Sequence, residues 1–239
     1  MSSSFGISGA VLKWIAVITM LIDHFAASFL NHYISVTGAF DEVYPLYTSC
    51  RYIGRIAFPI YIFLLIEGYQ KTRNVKKYIG RLFVFALISE IPFDLAFSYR
   101  LFDSSSQNVF FTLFFGLSAL YLMELARVKC KEKPALVLPL RLFIIFGFLL
   151  LAELFRTDYS YVGVLAILVM YELRQKPALQ MIAGCLTLCI SSPTELYALI
   201  GVLPVCFYNH KRGHQMKYFF YLFYPVHLIL LWLAGSMLL

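Results

Sequence analysis

The sequence predicts an all-α fold, a bundle of transmembrane helices that forms a single domain over residues 1–239. Hydrophobic side chains make up 61% of the chain and charged ones only 14%, whereas soluble domains average roughly half apolar and a quarter charged. The mean hydropathy is +0.76. Because a membrane-spanning helix takes roughly 20 apolar residues, the spans need nearly the whole chain, and a soluble globular fold is excluded.

Apolar runs bounded by charged residues, Pro or Gly predict about nine helices. They lie near residues 10–30, 52–69, 78–97, 108–127, 135–155, 160–173, 178–191, 195–208 and 217–237. We expect the first to be retained, because no Lys or Arg precedes it and no small-residue cleavage site ends it. The three runs between 160 and 208 have about 14 residues each, shorter than the hydrocarbon core. We expect these three helices to be tilted or buried against their neighbours.

Positive residues concentrate in alternate connections between these helices. Segments 70–77, 128–134, 174–177 and 209–216 are rich in Lys and Arg, whereas 31–50, 98–107, 156–159 and 192–194 are nearly free of Lys. The positive-inside rule then predicts a cytosolic amino terminus and, with nine spans, an outside carboxyl terminus in a bacterial inner membrane. This bias accounts for the net charge of +7, so we expect the lipid bilayer, and no nucleic acid, as a partner.

Several ionisable residues fall inside predicted spans, where they are costly and need a reason. Four helices bring six such residues, and one polar asparagine, to the same depth near the outer side: Asp23, His24, Arg51, Arg55, Glu90, Asp94 and Asn108. A His beside an Asp can be held in one imidazole tautomer and act as a general base, and Arg and Asn can stabilise an oxyanion. The alternative is a buried ion network that only fixes helix packing.

A second polar group is predicted nearer the cytosolic side. In the last helix, Pro225 interrupts the backbone ladder and bends the helix just before His227. Other members of this group are Lys13, Glu67, Lys71, Arg73, Lys211, Arg212 and Tyr224. Membrane topology alone could explain the basic loops, but an anionic, phosphate-bearing donor from the cytosol would bind them too.

Eight ordered motifs over nearly the whole chain resemble the TraX family, polytopic membrane proteins associated with amino-terminal acetylation of conjugative pilin. The motifs are residues 12–24, 51–59, 67–68, 81–83, 89–94, 108–112, 209–213 and 223–228. The family is similar in turn to the type-3 membrane acyltransferases, whose first helix carries a basic residue, ten others and then a His, as Lys13 and His24 do. The arginine pair departs from that class, which has Arg-x-x-Arg where this chain has Arg51-x3-Arg55.

The resemblance implies that a cytosolic acyl-CoA threads its pantetheine arm into the bundle and that the His serves acyl transfer at the far face. We therefore predict a membrane acetyltransferase that moves an acetyl group from acetyl-CoA to an amine or hydroxyl, on a pilin amino terminus or a cell-surface glycan. His24 is the expected general base, with Asp23 or a neighbouring carboxylate as its orienting partner. Arg51, Arg55 and Asn108 are expected to steady the thioester carbonyl or the acceptor.

The remaining assignments follow the same scheme. Glu90 and Asp94 complete the predicted catalytic set, and we predict no metal site. The donor is expected to meet Lys13, Glu67, Lys71, Arg73, Lys211, Arg212, Tyr224 and His227. Two other functions stay open: a transporter or exporter that uses the polar cluster for a solute or for protons, and a non-catalytic assembly factor in which the cluster is architectural.

Overall fold

The computed structural model describes residues 6–214 and 216–238, and this part of the chain is helical without a β-sheet, which confirms the all-α prediction. The helices are α1 (Gly9–His24), α2 (Asn31–Thr37), α3 (Phe40–Gly54), α4 (Ala57–Lys71), α5 (Val75–Ser98), α6 (Val109–Lys129), α7 (Val137–Leu154), α8 (Ser160–Glu172), α9 (Pro177–Leu188), α10 (Val202–Cys206) and α11 (Lys217–Leu238). A π-helical turn, Phe25–Leu30, joins α1 to α2. The 3₁₀ segments Pro134–Leu136 and Pro193–Gly201 precede α7 and α10.

Within the described residues, five helical stretches are long and apolar enough to cross a bilayer. They are Gly9–Thr37, Phe40–Lys71, Val109–Lys129, Pro134–Leu154 and Phe219–Met237. The three short helices expected between 160 and 208 form at Ser160–Glu172, Pro177–Leu188 and Pro193–Cys206. The count of nine spans and the orientation of the termini stay predictions.

Helices α2 and α3 occupy most of segment 31–50, so the prediction of a connection there is wrong. Segment 31–50 has no long apolar run, and Pro45 argues against a helix because it removes one backbone donor. The first turn of α3 carries Asp41 and Glu42, whose charges favour the positive end of the helix dipole. The helix also packs on α1 and on the π-helical turn. Both arginines of the predicted cluster consequently lie at the end of α3, not at the start of a separate span.

Helix α4 lies at the centre of the bundle and contacts α1, α6, α8 and α9. Its side chains Ile60, Ile62, Phe63 and Ile66 are fully enclosed. A helix that is apolar on every side is buried within a larger protein or exposed to lipid. Here the first explanation applies, because α4 packs against α1, α6, α8 and α9.

The opposite case is α7, whose apolar side chains point away from the protein. Phe143 is 76% exposed and Leu154 67% exposed. A continuous apolar surface of this kind marks contact with another apolar phase. Together with the five long apolar helices, it places the protein in a lipid bilayer.

The start of α1, the end of α4 and the loop before α11 meet at one end of the molecule. The backbone N–H groups of Gly9 and Ala10 donate to the carbonyls of Lys211 (2.8 Å) and Arg212 (3.0 Å). The Arg212 guanidinium donates to the carbonyl of Lys71 (3.3 Å). These three basic segments therefore share one face, as the charge pattern predicts.

Substituting Gly54 with Ala is expected to lower the free energy of unfolding by about 1–3 kcal/mol. Helix α3 crosses α1 closely at Gly54, and a Cβ atom there would overlap the side chain of Asp23. At Gly147 of α7, by contrast, a Cβ atom would meet nothing within 4 Å, so Gly147→Ala is the matched control. Thermal unfolding in detergent measures both variants. Equal melting temperatures would contradict the close crossing.

Candidate functional site

A cavity of about 440 Å³, the His24 cavity, lies between α1, α3, α4, the loop before α8 and the segment after α9. Its polar lining consists of Asp23, His24, Arg51, Arg55, Tyr61, Ser106, Asp158, Tyr159, Ser191, Ser192, Glu195 and Tyr224. Four of the residues predicted at the outer side, Asp23, His24, Arg51 and Arg55, are therefore brought together. The Lys-poor connections predicted to share that side contribute four of the others, Ser106, Asp158, Tyr159 and Ser192.

His24 ends α1, directly before the π-helical turn, a feature that occurs often at functional sites. Its Nδ1 lies 2.7 Å from Nε2 of His227, and the two rings are nearly parallel. Nδ1 of His227 lies 2.7 Å from the carbonyl oxygen of Phe223. The sequence places His227 nearer the cytosolic side with the donor residues, and that prediction is wrong, since His227 packs against His24 and lines neither cavity.

This chain of hydrogen bonds sets the tautomers of both rings in their neutral forms. A carbonyl oxygen can only accept, so His227 carries its proton on Nδ1 and accepts on Nε2. His24 must then donate from Nδ1, which leaves the lone pair of its Nε2 unprotonated. Among the described residues, His24 makes its side-chain hydrogen bond through Nδ1, and the residue lines the His24 cavity. His24 is thus held in the tautomer that a general base requires.

The orienting partner predicted for His24, Asp23, has a different role. Its carboxylate accepts from Arg51 (2.7 Å) and from Arg55 (2.9 Å). Successive residues of an α-helix point about 100° apart, so Asp23 and His24 face different neighbours. The prediction of a carboxylate behind the imidazole is therefore corrected to a second histidine.

Glu195 is a member of the site that the sequence analysis missed. It is 1% exposed, and its Oε1 accepts from Arg55 (2.7 Å). Its other carboxylate oxygen has no partner within the described residues, and the residue lines the His24 cavity. The signal was present in the sequence, because Glu195 is the only charged residue between positions 177 and 208.

Asp158 and Tyr159 also line the His24 cavity, although the sequence does not predict them there. Both lie in the loop between α7 and α8. Positive φ angles of 50°, 62° and 46° at Arg156, Tyr159 and Ser160 turn this loop inward. Non-glycine residues rarely adopt such angles, and those that do often lie at functional sites. Removal from bulk water raises the pKa of the Asp158 carboxyl to about 6. The loop therefore adds a carboxyl group to the cavity wall.

Glu90, Asp94 and Asn108 do not line the His24 cavity, so their predicted catalytic placement is corrected. The Asn108 amide donates to the Glu90 carboxylate and to the carbonyl of Ala86 (2.8 Å), and its oxygen caps α6. Asp94 accepts from the backbone of Asp103 (2.9 Å). These polar groups bind the start of α6 and the loop before it to α5, which is a structural role.

A second cavity of about 690 Å³, the Lys71 cavity, opens near the basic end of the molecule. Its cations are Lys13, Lys71, Arg73, Arg81 and Arg212. Arg81 is an addition to the predicted set.

Glu67 and Lys211, both predicted to meet the donor, do not line the Lys71 cavity. Glu67 accepts instead from Lys71 and from the hydroxyl of Tyr208 (3.0 Å). Glu67 therefore fixes the position of Lys71, which lines the Lys71 cavity.

The two cavities adjoin at a neck of shared lining residues, Met20, Phe58, Tyr61, Val109 and Tyr224. Lys13 and His24 lie eleven residues apart on α1, or about 16 Å along the helix axis. Helix α1 therefore lines both cavities, with Lys13 in the Lys71 cavity and His24 in the His24 cavity.

Fold and site together define a polytopic helical membrane protein whose buried polar centre adjoins two cavities. The model of the family described as TraX protein matches residues 8–234, and the chain belongs to this family. It is 30% identical to the "Probable fimbrial assembly protein FimC, serogroup H1" of Dichelobacter nodosus, over 97% of each chain. No solved structure matches the chain. The family resemblance carried by the eight motifs is confirmed.

Proposed function

We propose that the protein is an acetyltransferase that moves an acetyl group from cytosolic acetyl-CoA to an amine or hydroxyl near the outer face of a bacterial inner membrane. One observation carries the proposal: a cavity with a basic mouth and a cavity lined by an oriented histidine share one neck. This arrangement separates a site for an anionic, elongated donor from a site for a polar acceptor.

The Lys71 cavity suits the donor in charge and in shape. Arginine and lysine at its mouth can bind the phosphates of the nucleotide part of acetyl-CoA. Leu64, Leu65, Leu82 and Leu113 line the interior, which suits the thin pantetheine arm. The thioester would then reach the neck.

The chemistry proposed for the His24 cavity is general-base catalysis. Nε2 of His24 takes the proton of the acceptor amine or hydroxyl, whose N or O atom attacks the thioester carbonyl carbon. When the C–S bond breaks, the imidazolium returns that proton to the departing thiolate. His227 acts as a positioning residue, because its accepting Nε2 keeps the His24 proton on Nδ1.

The acceptor side of the cavity is rich in hydrogen-bond acceptors. Glu195 offers its unpartnered carboxylate oxygen, and Asp158 lies on the same cavity wall. Both can receive hydrogen bonds from an amine or a hydroxyl. The name of the Dichelobacter relative supports an acceptor that is part of a fimbria or pilus, such as a pilin amino terminus; a surface glycan is the other acceptor that fits.

Binding of acetyl-CoA to the detergent-purified protein tests the donor site. We expect saturable binding by calorimetry, weakened about tenfold or more when Arg73 and Arg212 are changed to Gln, because each substitution removes a charged hydrogen-bond donor. The matched control is Lys131→Gln with Lys133→Gln, in an exposed loop that lines neither cavity. No binding to folded protein, or equal affinities in both double variants, would refute the proposal.

A non-catalytic assembly factor is the second candidate, favoured by the relative's name and by the ion network of Arg51, Arg55, Asp23 and Glu195. In this function the network only fixes helix packing. It requires no acetyl-CoA binding, and His24→Gln would leave assembly of the surface structure intact. The binding experiment therefore separates the two candidates.

A further inference from the structure

We infer that Tyr224 is a catalytic hydrogen-bond donor whose hydroxyl binds the carbonyl oxygen of the thioester and stabilises the oxyanion that forms on it. The inference rests on the acetyl transfer proposed above. It assigns to one side chain of α11 the oxyanion role that the sequence analysis gives to arginine and asparagine.

The Tyr224 hydroxyl is buried without an acceptor for its proton. The residue is 3% exposed, and no group among the described residues accepts from its oxygen. The backbone N–H of Val109, which faces this oxygen, can itself only donate. Because a buried donor without a partner destabilises a protein, an unpaired hydroxyl at this place indicates a position meant for a ligand atom.

The location of Tyr224 matches that of a reacting carbonyl group. Tyr224 belongs to the neck and lines both cavities. Its ring centroid lies 5.8 Å from that of His24, in an edge-to-face arrangement. In the inferred complex, the thioester carbonyl lies at the neck, with its oxygen toward this hydroxyl and its carbon toward an acceptor activated by His24.

Helix α11 carries both this hydroxyl and His227, the histidine that orients the base His24. Tyr224 and His227 are three residues apart, on neighbouring positions of one helix surface, and their ring centroids lie 5.7 Å apart. His227 sets the tautomer of His24, and Tyr224 faces the neck. One turn of one helix thus supplies both the support for the base and the donor for the oxyanion.

Each of the donors expected from the sequence already makes at least one hydrogen bond. Arg55 binds Asp23 and Glu195, and Arg51 binds Asp23. The amide of Asn108 binds the chain of α5, outside the His24 cavity. None of these three residues belongs to the neck, whereas Tyr224 does.

The step requires no net proton transfer to or from Tyr224. As the acceptor N or O atom bonds to the thioester carbon, the carbonyl π electrons move to the oxygen, and the phenol hydrogen bond shortens toward that charge. His24 holds the acceptor proton meanwhile. Collapse restores the C=O bond, breaks the C–S bond and releases the CoA thiolate, which takes the proton from His24. The phenol keeps its own proton throughout.

The experiment compares Tyr224→Phe with the wild-type protein, using water as the acceptor. The rate of CoA release from acetyl-CoA by detergent-purified protein is measured with a thiol reagent, and the Kd for acetyl-CoA by calorimetry. We expect the rate to fall about 10²-fold, the usual loss for one oxyanion donor, with Kd changed less than threefold. A packing defect would instead weaken binding as well. Infrared difference spectra with ¹³C-carbonyl acetyl-CoA should show a higher C=O frequency in the variant, since a hydrogen bond is lost.

Tyr99→Phe is the matched control. It removes another buried hydroxyl without a partner, at a residue that lines neither cavity, and both values should stay within twofold of wild type. If the wild type neither binds nor hydrolyses acetyl-CoA, the proposed function and the role of Tyr224 both fail. If the wild type hydrolyses acetyl-CoA and Tyr224→Phe retains the rate or the carbonyl frequency, only the role of Tyr224 fails.

Discussion

Replacing His24 with Ala is expected to lower the rate of acetyl transfer, and of acetyl-CoA hydrolysis, by about 10²- to 10⁴-fold, the range that a positioned general base contributes. Nε2 of His24 is the unprotonated ring nitrogen of an oriented pair. Binding of acetyl-CoA should persist, because the cations expected to bind its phosphates line the Lys71 cavity and not the His24 cavity. The measurement is CoA release by detergent-purified protein, with the Kd for acetyl-CoA determined in parallel.

His32→Ala is the control for this substitution, because His32 lies on the same helical stretch and stacks on Tyr99 outside both cavities. We expect the rate of CoA release by this variant to stay within about twofold of the wild-type rate. His24→Gln adds a sharper comparison, since glutamine keeps a polar side chain but cannot take up a proton. Acetyl transfer that survives in both His24 variants would rule out the general-base mechanism. A fimbria or pilus that assembles normally with His24→Gln would favour the architectural alternative.

The predicted site residues that line the His24 cavity share a local signal. His24, Arg51 and Arg55 are polar residues in or beside apolar runs, where a bilayer makes them costly, and each one lines the His24 cavity. Their presence is visible from composition along the chain, without knowledge of helix contacts. The cations of the Lys71 cavity carry a similar signal in the charge asymmetry of the loops.

The partners of these residues could not be predicted in the same way. Most helices of this chain are apolar on several sides, so periodicity does not indicate which face meets which neighbour. The pairing of His24 with His227 depends on the contact between the π-helical turn and α11. Asp158 depends on positive φ angles at three residues that are not glycine, and glycine is the usual sequence sign of such a turn.

Replacing Arg55 with Met is expected to lower the free energy of unfolding by about 3–5 kcal/mol, the cost of removing one partner of a buried ion pair. Arg55 binds Asp23 and Glu195 at once, at 2.9 and 2.7 Å. Without the guanidinium, Glu195 would keep a charge inside the bundle with neither oxygen paired. Unfolding in mixed detergent micelles, followed by the fluorescence of Trp14 and Trp232, measures the change.

Arg141→Met is the matched control, since the Arg141–Glu172 pair is partly exposed and such pairs contribute about 0–1 kcal/mol. Adding Glu195→Gln to Arg55→Met should recover part of the loss, because it removes the charge that the first substitution leaves unpaired. A double variant no more stable than Arg55→Met alone would show that the cost lies elsewhere, in packing or at Asp23. Equal losses for Arg55→Met and Arg141→Met would contradict the burial of the network. Recovery would show that the cost comes from the Glu195 carboxylate left unpaired, and that its pairing with Arg55 is what lets an ionised carboxylate be kept within the membrane bundle.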